Sequence, residues 1–113
     1  ELIRMRAADI INIKLMKTGG LSGAIQIADI AAVHGMECMM GCMLESSVSV
    51  AAAAHLAAAK SQVITKIDLD GPSLCANDPV IGDTVFNEAE ITLGTRPGFG
   101  VSDVPGLVPI RGE

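Results

Sequence analysis

The fold is decided by residues 8–20, which run Ala8-Asp9-Ile10-Ile11-Asn12-Ile13-Lys14-Leu15-Met16-Lys17-Thr18-Gly19-Gly20. The apolar, β-branched run predicts a strand at about residues 8–14 that is buried on both faces. Lys14 closes this strand just before a Gly-Gly turn. Barrels of alternating strands and helices keep their catalytic groups at the carboxyl ends of the strands, where a partly desolvated lysine can accept a proton. Lys14 is therefore a candidate base, and the alternative is an ordinary surface lysine at a strand end.

The pattern of strand followed by helix repeats twice more. Apolar and alanine residues at helical spacing predict a helix after Gly20, and an alanine-rich helix follows Glu45 and ends near Lys60. Second and third strands are predicted at about residues 37–40 and 63–68. The strand ends recur at intervals of about 27 residues, as repeated β/α units require. The sequence therefore predicts a βαβαβ arrangement with parallel strands.

From Gly71 onwards the pattern changes, because proline and glycine break the chain into turns and short extended pieces. Residues 83–86 and 90–93 are expected to pair as a hairpin across Asn87-Glu88-Ala89. We therefore divide the chain into repeated β/α units, residues 1–76, and a return segment, residues 77–113. The final residues, 104–113, are expected to be loosely ordered.

Composition restricts the classes of function. The net charge is −5 and the 113 residues contain no basic cluster, which argues against nucleic acid and anionic membranes as partners. Three cysteines without a CxxC spacing favour a reduced, cytoplasmic protein over a disulfide scaffold. No stretch reaches the roughly 18 uninterrupted apolar residues of a membrane span. The chain does not begin with methionine, and we expect it to be part of a longer protein.

Two further strand ends carry candidate binding residues. Asp68 and Asp70 would point the same way if the third strand ran through both, and two carboxylates on one face call for a cation between them. An ammonium group or a metal ion would serve, and the alternative is a pair of solvated turn residues. Cys42 follows the second strand, where it could contact a ligand; as a nucleophile it is disfavoured, because no histidine is close in sequence. His34 and His55 form no recognisable metal motif, which disfavours zinc.

Taken together, these strand ends resemble the C-terminal part of an enolase-superfamily enzyme of the muconate-lactonizing subgroup, and most of all the dipeptide epimerases that interconvert L-Ala-D-Glu and L-Ala-L-Glu. The resemblance covers about residues 1–101. It rests on residues 8–20 and on the stretches Met36-Glu37-Cys38-Met39-Met40-Gly41-Cys42-Met43-Leu44-Glu45, Ala51-Ala52-Ala53-Ala54-His55-Leu56-Ala57-Ala58, Ile67-Asp68-Leu69-Asp70-Gly71-Pro72 and Pro97-Gly98-Phe99-Gly100-Val101.

The resemblance implies an α/β fold, the C-terminal portion (strands six to eight) of a modified (β/α)7β TIM-type barrel, with a tail that returns to a capping domain. Lys14 matches the catalytic lysine of the sixth strand, and Asp68 and Asp70 match the acidic pair that receives the α-ammonium of a dipeptide. Cys42 falls where the epimerases commonly have a serine beside the ligand. Family members hold Mg²⁺ with three carboxylates on strands three to five and carry a second base, Lys-x-Lys, on strand two. This chain contains neither, so no metal ligand is expected in it.

The sequence therefore predicts part of a Mg²⁺-dependent dipeptide epimerase that exchanges an α-proton through an enolate and is inactive as a lone chain. Three other enzymes of the subgroup remain alternatives: muconate cycloisomerase, o-succinylbenzoate synthase and N-acylamino acid racemase. An alternative of another class is a non-catalytic half-barrel that acts as an assembly or binding module. Exposed barrel edges would in either case favour self-association or a homo-oligomer.

Overall fold

The computed structural model describes residues 1–108. Strands and helices alternate through the first two thirds of the chain, and short strands fill the rest. In chain order the elements are α1 (Leu2–Met5), β1 (Ile10–Lys14), α2 (Leu15–Thr18), α3 (Leu21–Val33), β2 (Glu37–Gly41), α4 (Ser47–Ala59), β3 (Ile64–Asp68), α5 (Gly71–Leu74), β4 (Ile81–Gly82), β5 (Val85–Asn87), β6 (Glu90–Thr92) and β7 (Val101–Asp103).

The three longest strands form one parallel sheet in the order β1-β2-β3. Helices α3 and α4 make the two crossovers, so the predicted βαβαβ arrangement is confirmed. Strand β1 pairs with β2 without interruption from Ile10 opposite Glu37 to Lys14 opposite Gly41. The pairing of β2 with β3 shifts once, between Cys38 and Met39, and then runs to Gly41 opposite Asp68. The last residues of the three strands, Lys14, Gly41 and Asp68, therefore lie side by side in one row across the sheet.

One face of this sheet packs against the helices. Ile13, Cys38 and Met40 on that face are almost completely buried, and they contact a helical surface made mainly of alanine. The buried helical residues are Ala24, Ala28, Ala31, Val50, Ala51, Ala52, Ala53, Ala54, Leu56 and Ala57. Small side chains allow a helix backbone to lie close to a sheet, and they explain how the chain forms this layer with only two phenylalanines.

The other face of the sheet is more open. Asn12 and Glu37 are exposed on it, whereas Lys14 and Met39 are half-buried. In a closed barrel this face would line the interior, since inward and outward side chains alternate along each strand. The fold therefore leaves the end of Lys14 accessible while it anchors the strand through Ile13.

The return segment packs against the start of α4. The predicted hairpin is confirmed as β5 paired with β6, with a turn at Glu88 and Ala89. Strands β4 and β7 form a second antiparallel pair, which the sequence analysis did not predict. Residues 104–108 are in neither helix nor strand, and the rest of the segment expected to be loosely ordered lies outside the described residues. Within residues 1–108 no helix is long and apolar enough to cross a membrane.

The third strand ends earlier than an uninterrupted strand through both aspartates would require. Strand β3 stops at Asp68, and Asp70 has φ −88° and ψ −3° at the N-cap position of the short helix α5. Pro72 in the first turn of α5 explains the change, because its fixed φ suits a helix start and it cannot donate to a strand ladder. The idea that Asp68 and Asp70 alternate along one strand is therefore wrong, although both lie at the same edge.

Candidate active site

The carboxyl ends of the three strands bring two of the predicted site residues, Lys14 and Asp68, into one row on either side of Gly41. Lys14 is opposite Gly41, and Gly41 is opposite Asp68, so the side chains of Lys14 and Asp68 leave the same face. Gly41 has no side chain to fill the space between them. A Cβ built on Gly41 would lie 2.6 Å from Oδ1 of Asn12, so even an alanine would have to displace that amide. The Asn12 amide thus lies over the centre of the row, in the space that a side chain at position 41 would take.

Lys14 is held by the loop that follows β2. Its Nζ donates a hydrogen bond of 2.7 Å to the carbonyl oxygen of Cys42. The next residue, Leu15, is buried and begins the single turn α2, which ends at Gly19 with a φ of +76°. Gly20 follows with a φ of +100°. Positive φ values at two successive positions favour glycine, because it has no Cβ. The Gly-Gly turn therefore allows the chain to turn back towards helix α3 shortly after Lys14.

Cys42 links the lysine to the acidic pair. Its thiol is buried and donates a long hydrogen bond of 3.7 Å to Oδ1 of Asp70. Burial raises the pKa of the Cys42 thiol, and the nearby charges of Asp70 and Glu45 raise it further against the opposing effect of the Gly71 N–H. The sulfur therefore stays protonated at neutral pH, where it is a hydrogen-bond donor rather than a nucleophile.

Asp68 and Asp70 are exposed and take part in no ion pair within residues 1–108. They line an open cavity of about 370 Å³ together with Leu69 and, from the turn of the β5–β6 hairpin, Glu88. Carboxylates without a cationic partner favour the approach of a positively charged ligand. The carboxyl ends of the strands therefore present a lysine amine on β1 and, across β2, two carboxylates at the end of β3 that have no cationic partner within residues 1–108.

Glu45 is a residue that the sequence analysis passed over as the start of a helix. It is the only charged residue among the buried residues of the described chain, with 7% of its surface exposed. One carboxylate oxygen accepts a hydrogen bond of 2.8 Å from the N–H of Met43, and the other accepts one from the hydroxyl of Ser49. The sequence carried no signal for the first of these bonds, because Glu45 precedes the N-cap residue Ser46 and its carboxylate bonds the Met43 N–H, outside the helix.

The residues of the described chain do not fit a metal site. No group of three or more His, Cys, Asp or Glu side chains within residues 1–108 is arranged to hold an ion. His34 caps the end of α3, and the Nδ1 of His55 lies 2.8 Å from the carbonyl oxygen of Ala51. Glu37 lies at the amino edge of the sheet, where Lys66 pairs with it. The His55 ring and the Glu37 carboxylate therefore both have structural partners.

Comparison with known proteins gives relatives for this arrangement. The chain is 56% identical over 104 residues to the L-Ala-D/L-Glu epimerase of Clostridium acetobutylicum, an alignment that covers 92% of the chain and 29% of that enzyme. It is 41% identical over 101 residues to the N-succinyl-L-Arg/Lys racemase of Bacillus cereus, covering 89% of the chain and 27% of the racemase. The chain thus spans less than a third of the length of either relative.

Solved structures agree with the sequence relatives. The dipeptide epimerase of Enterococcus faecalis, in complex with Mg and the dipeptide L-Leu-L-Tyr, superposes with a TM-score of 0.82 at 42% identity. That superposition covers 90% of the chain and 29% of the epimerase chain. The fold is accordingly a portion of a TIM-type barrel, as the resemblance implied. Residues 1–103 also match the sequence profile of the enolase C-terminal domain-like family, and the chain therefore belongs to that family.

Proposed function

We propose that this chain supplies the last strands of the barrel in a Mg²⁺-dependent dipeptide epimerase of the L-Ala-D/L-Glu type. The observation that supports the proposal is the row at the carboxyl edge, where Lys14 and the carboxylate of Asp68 flank a glycine. A base on one side and a receptor for an ammonium on the other match a substrate with both an acidic α-carbon and a free amino group. The relatives at this level of identity are epimerases and racemases.

In this proposal Lys14 exchanges the α-proton on one face of the substrate. The neutral amine takes the proton, the electron pair of the C–H bond moves into the adjacent carboxylate, and an enolate results. Return of a proton to the opposite face inverts the carbon, and this second proton must come from a base outside the described residues. The Cys42 carbonyl, 2.7 Å from Nζ, holds the lysine in a fixed direction for this transfer.

Asp68 and Asp70 bind the α-ammonium of the dipeptide in the same proposal, and Cys42 contacts the ligand beside them. Neither carboxylate has a cationic partner within residues 1–108, and the Cys42 thiol donates to Asp70. An arriving ammonium group would replace this long thiol contact with a charge-assisted hydrogen bond, which is the stronger of the two. The dipeptide is therefore the partner that these residues select.

The Mg²⁺ ion is part of the proposal, and its ligands would lie outside this chain, because residues 1–108 hold no suitable cluster. We further propose that residues 77–113 pack on a capping domain and that the protein works in the cytoplasm. Val85 and Leu107 in the return segment are exposed apolar side chains that such packing would cover. Within residues 1–108, strands β1 and β3 each have one unpaired side, which would be closed by the remaining barrel or, in the assembly alternative, by a second copy.

The test is proton exchange by the complete protein that contains this chain. Incubation with Mg²⁺ and L-Ala-D-Glu in D₂O should give α-deuteration of the glutamate and formation of L-Ala-L-Glu, both followed by NMR. The 113-residue chain under the same conditions should give neither. Exchange by the short chain alone would contradict its proposed dependence on residues elsewhere, and sedimentation of that chain as a defined dimer would favour the assembly alternative.

A second candidate, racemisation of an N-succinylated amino acid, is favoured by the identity to the N-succinyl-L-Arg/Lys racemase. Such a substrate has an acidic α-carbon but no free α-ammonium for Asp68 and Asp70. The complete protein should therefore exchange L-Ala-D-Glu much faster than N-succinyl-L-lysine. The reverse preference would replace the dipeptide proposal with the racemase one.

A further inference from the structure

Glu45 is a buried charge that the proposed reaction does not use. The residue is 7% exposed, and its carboxylate has no cationic partner within the described residues. Removal of a carboxylate from water costs several kcal/mol unless hydrogen bonds compensate it (roughly, by the transfer free energies of polar groups). A buried carboxylate with no structural ion pair therefore needs an account of what its hydrogen bonds accomplish.

The first of those hydrogen bonds leads to the lysine. Oε1 of Glu45 accepts from the N–H of Met43 at 2.8 Å, and the carbonyl of the same peptide group, that of Cys42, accepts from Nζ of Lys14 at 2.7 Å. One peptide group is therefore held from both sides, by the carboxylate at its N–H and by the amine at its carbonyl. Its orientation sets the direction in which Lys14 points.

The rest of Glu45 is fixed in place. Its second carboxylate oxygen accepts from the hydroxyl of Ser49 in the first turn of α4. Its backbone is packed against Gly71, where an added Cβ would lie 2.9 Å from the carbonyl oxygen of Glu45. Glu45 is thus fixed by its contacts with helix α4 and with the start of α5. Its carboxylate can therefore hold the Cys42–Met43 peptide group without moving.

We propose that Glu45 is a positioning residue that orients Lys14 and stabilises its protonated form through the Cys42–Met43 peptide group. Hydrogen bonds in a chain polarise one another, so a carboxylate on the N–H makes the carbonyl a better acceptor for an ammonium. The inference rests on the proposed function for its effect on catalysis, but not for the contact itself. The other charged groups near Lys14 are Asp68 in the same row and Asp70 beyond Cys42, and neither is altered by a change at Glu45.

The test is Glu45→Gln in the complete protein. Glutamine keeps the shape and an acceptor oxygen but removes the charge, so the titration midpoint of the Lys14 amine should move to lower pH. The midpoint is read from the ¹³Cε resonance of labelled lysine and assigned with Lys14→Gln. This readout needs no substrate, so its result does not depend on whether the epimerase proposal is right.

Activity gives the second readout. With L-Ala-D-Glu and L-Ala-L-Glu as separate substrates, Glu45→Gln should lower kcat about tenfold for the epimer whose α-proton Lys14 removes, because a neutral amide holds the Met43 N–H more weakly than a carboxylate and the general base is then less well aligned. The KM should change less than threefold, since the carboxylates that bind the ammonium are untouched. The rise of this rate with pH should begin at lower pH, because the neutral amine is reached sooner.

Asp78→Asn is the matched control, because Asp78 also bonds the start of α4, at Ser47, without touching the Met43 peptide group. It should lower thermal stability while leaving the lysine midpoint and kcat unchanged. Should Glu45→Gln fail to fold, Glu45→Asp, which withdraws the carboxylate by one methylene, is measured in the same way. An unmoved lysine midpoint in the folded variant, or an equal effect of Asp78→Asn, would overturn the inference; absence of all epimerase activity in the wild type would instead refute the proposed function.

Discussion

The two ends of the parallel strands, the amino edge and the carboxyl edge of the sheet, carry similar charged residues that make different contacts. At the amino edge Glu37 is paired with Lys66 at 2.5 Å and also accepts from Thr65, and both charged side chains are about half exposed. At the carboxyl edge Lys14 is bonded to a backbone carbonyl, while Asp68 and Asp70 have no cation among residues 1–108. Charges that satisfy one another contribute only to the fold. Charges that remain free are available to a ligand, and the comparison therefore predicts which substitutions affect activity.

The largest effect is expected at the lysine. Lys14→Gln in the complete protein should lower α-proton exchange from one of the two epimers of Ala-Glu by about 10³-fold, within the range for loss of a general base. The measurement is loss of α-protium in D₂O for each epimer. Lys17→Gln is the matched control, because Lys17 is exposed on the next turn and should be neutral. A similar loss in both lysine variants would show that the edge is merely sensitive to charge.

The next effect concerns the acidic pair. Asp68→Asn and Asp70→Asn should each raise the KM for L-Ala-D-Glu, by about tenfold or more, because a charge-assisted hydrogen bond contributes about 1.5–3 kcal/mol. A substrate without any ammonium group, such as N-succinyl-L-phenylalanine, should show no such rise. Steady-state kinetics with both substrates checks this. An equal loss for both substrates would remove the ammonium from the proposal and leave the carboxylates with a structural role.

Much of this edge was predictable from the sequence. The β-branched run that ends at Lys14 and the regular interval to Asp68 were sufficient to predict parallel strands with both residues at one edge. Periodicity shows which residues belong to a strand, and parallel crossovers determine which ends meet. The direction of Asp70 was not predictable in this way, because the helix start at Pro72 turns the chain immediately after the strand.

The contacts between loops could not be predicted from the sequence, for a different reason. The bond between Lys14 and the carbonyl of Cys42 spans 28 residues and depends on the strand register together with the path of the loop. Glu45 could be read as a helix-start residue, but its bond to the Met43 N–H depends on a tight turn that no local pattern encodes. Composition and spacing therefore predict the framework, whereas loop conformation determines which backbone groups face the site.

A smaller effect, on stability, is expected where the return segment meets α4. Partial burial acts to raise the pKa of Asp78, but hydrogen bonds from the Ser47 hydroxyl, the Ser47 N–H and the Val80 N–H outweigh it and lower the pKa. Asp78→Asn should lower the free energy of unfolding by about 1–2 kcal/mol at pH 7, a typical cost for a lost helix-start acceptor. Urea denaturation of the 113-residue chain measures the difference, with exposed Asp9→Asn as the control.

The pH dependence follows from the sign of that shift. A carboxyl group whose pKa is lowered in the folded state stabilises the protein above its unfolded pKa, and this contribution is lost as the pH falls through the folded pKa. The difference between the wild type and Asp78→Asn should therefore be largest near neutral pH and shrink towards acid. A difference that is independent of pH would mean that the carboxylate's charge has no part in holding the segment.

The smallest effect is expected at Glu37, at the amino edge of the sheet. Hydrogen bonds from Lys66 and Thr65 lower the pKa of Glu37, yet the carboxylate is exposed, and an exposed ion pair contributes little because water and salt screen it. Glu37→Gln should therefore leave the urea midpoint of the chain and the kcat and KM of the complete protein unchanged within error. It removes a carboxylate from the same sheet as Asp68→Asn does, and only the edge differs. If Glu37→Gln raised the KM for L-Ala-D-Glu as much as Asp68→Asn, the field of the whole sheet rather than the free carboxylates of one edge would be attracting the substrate.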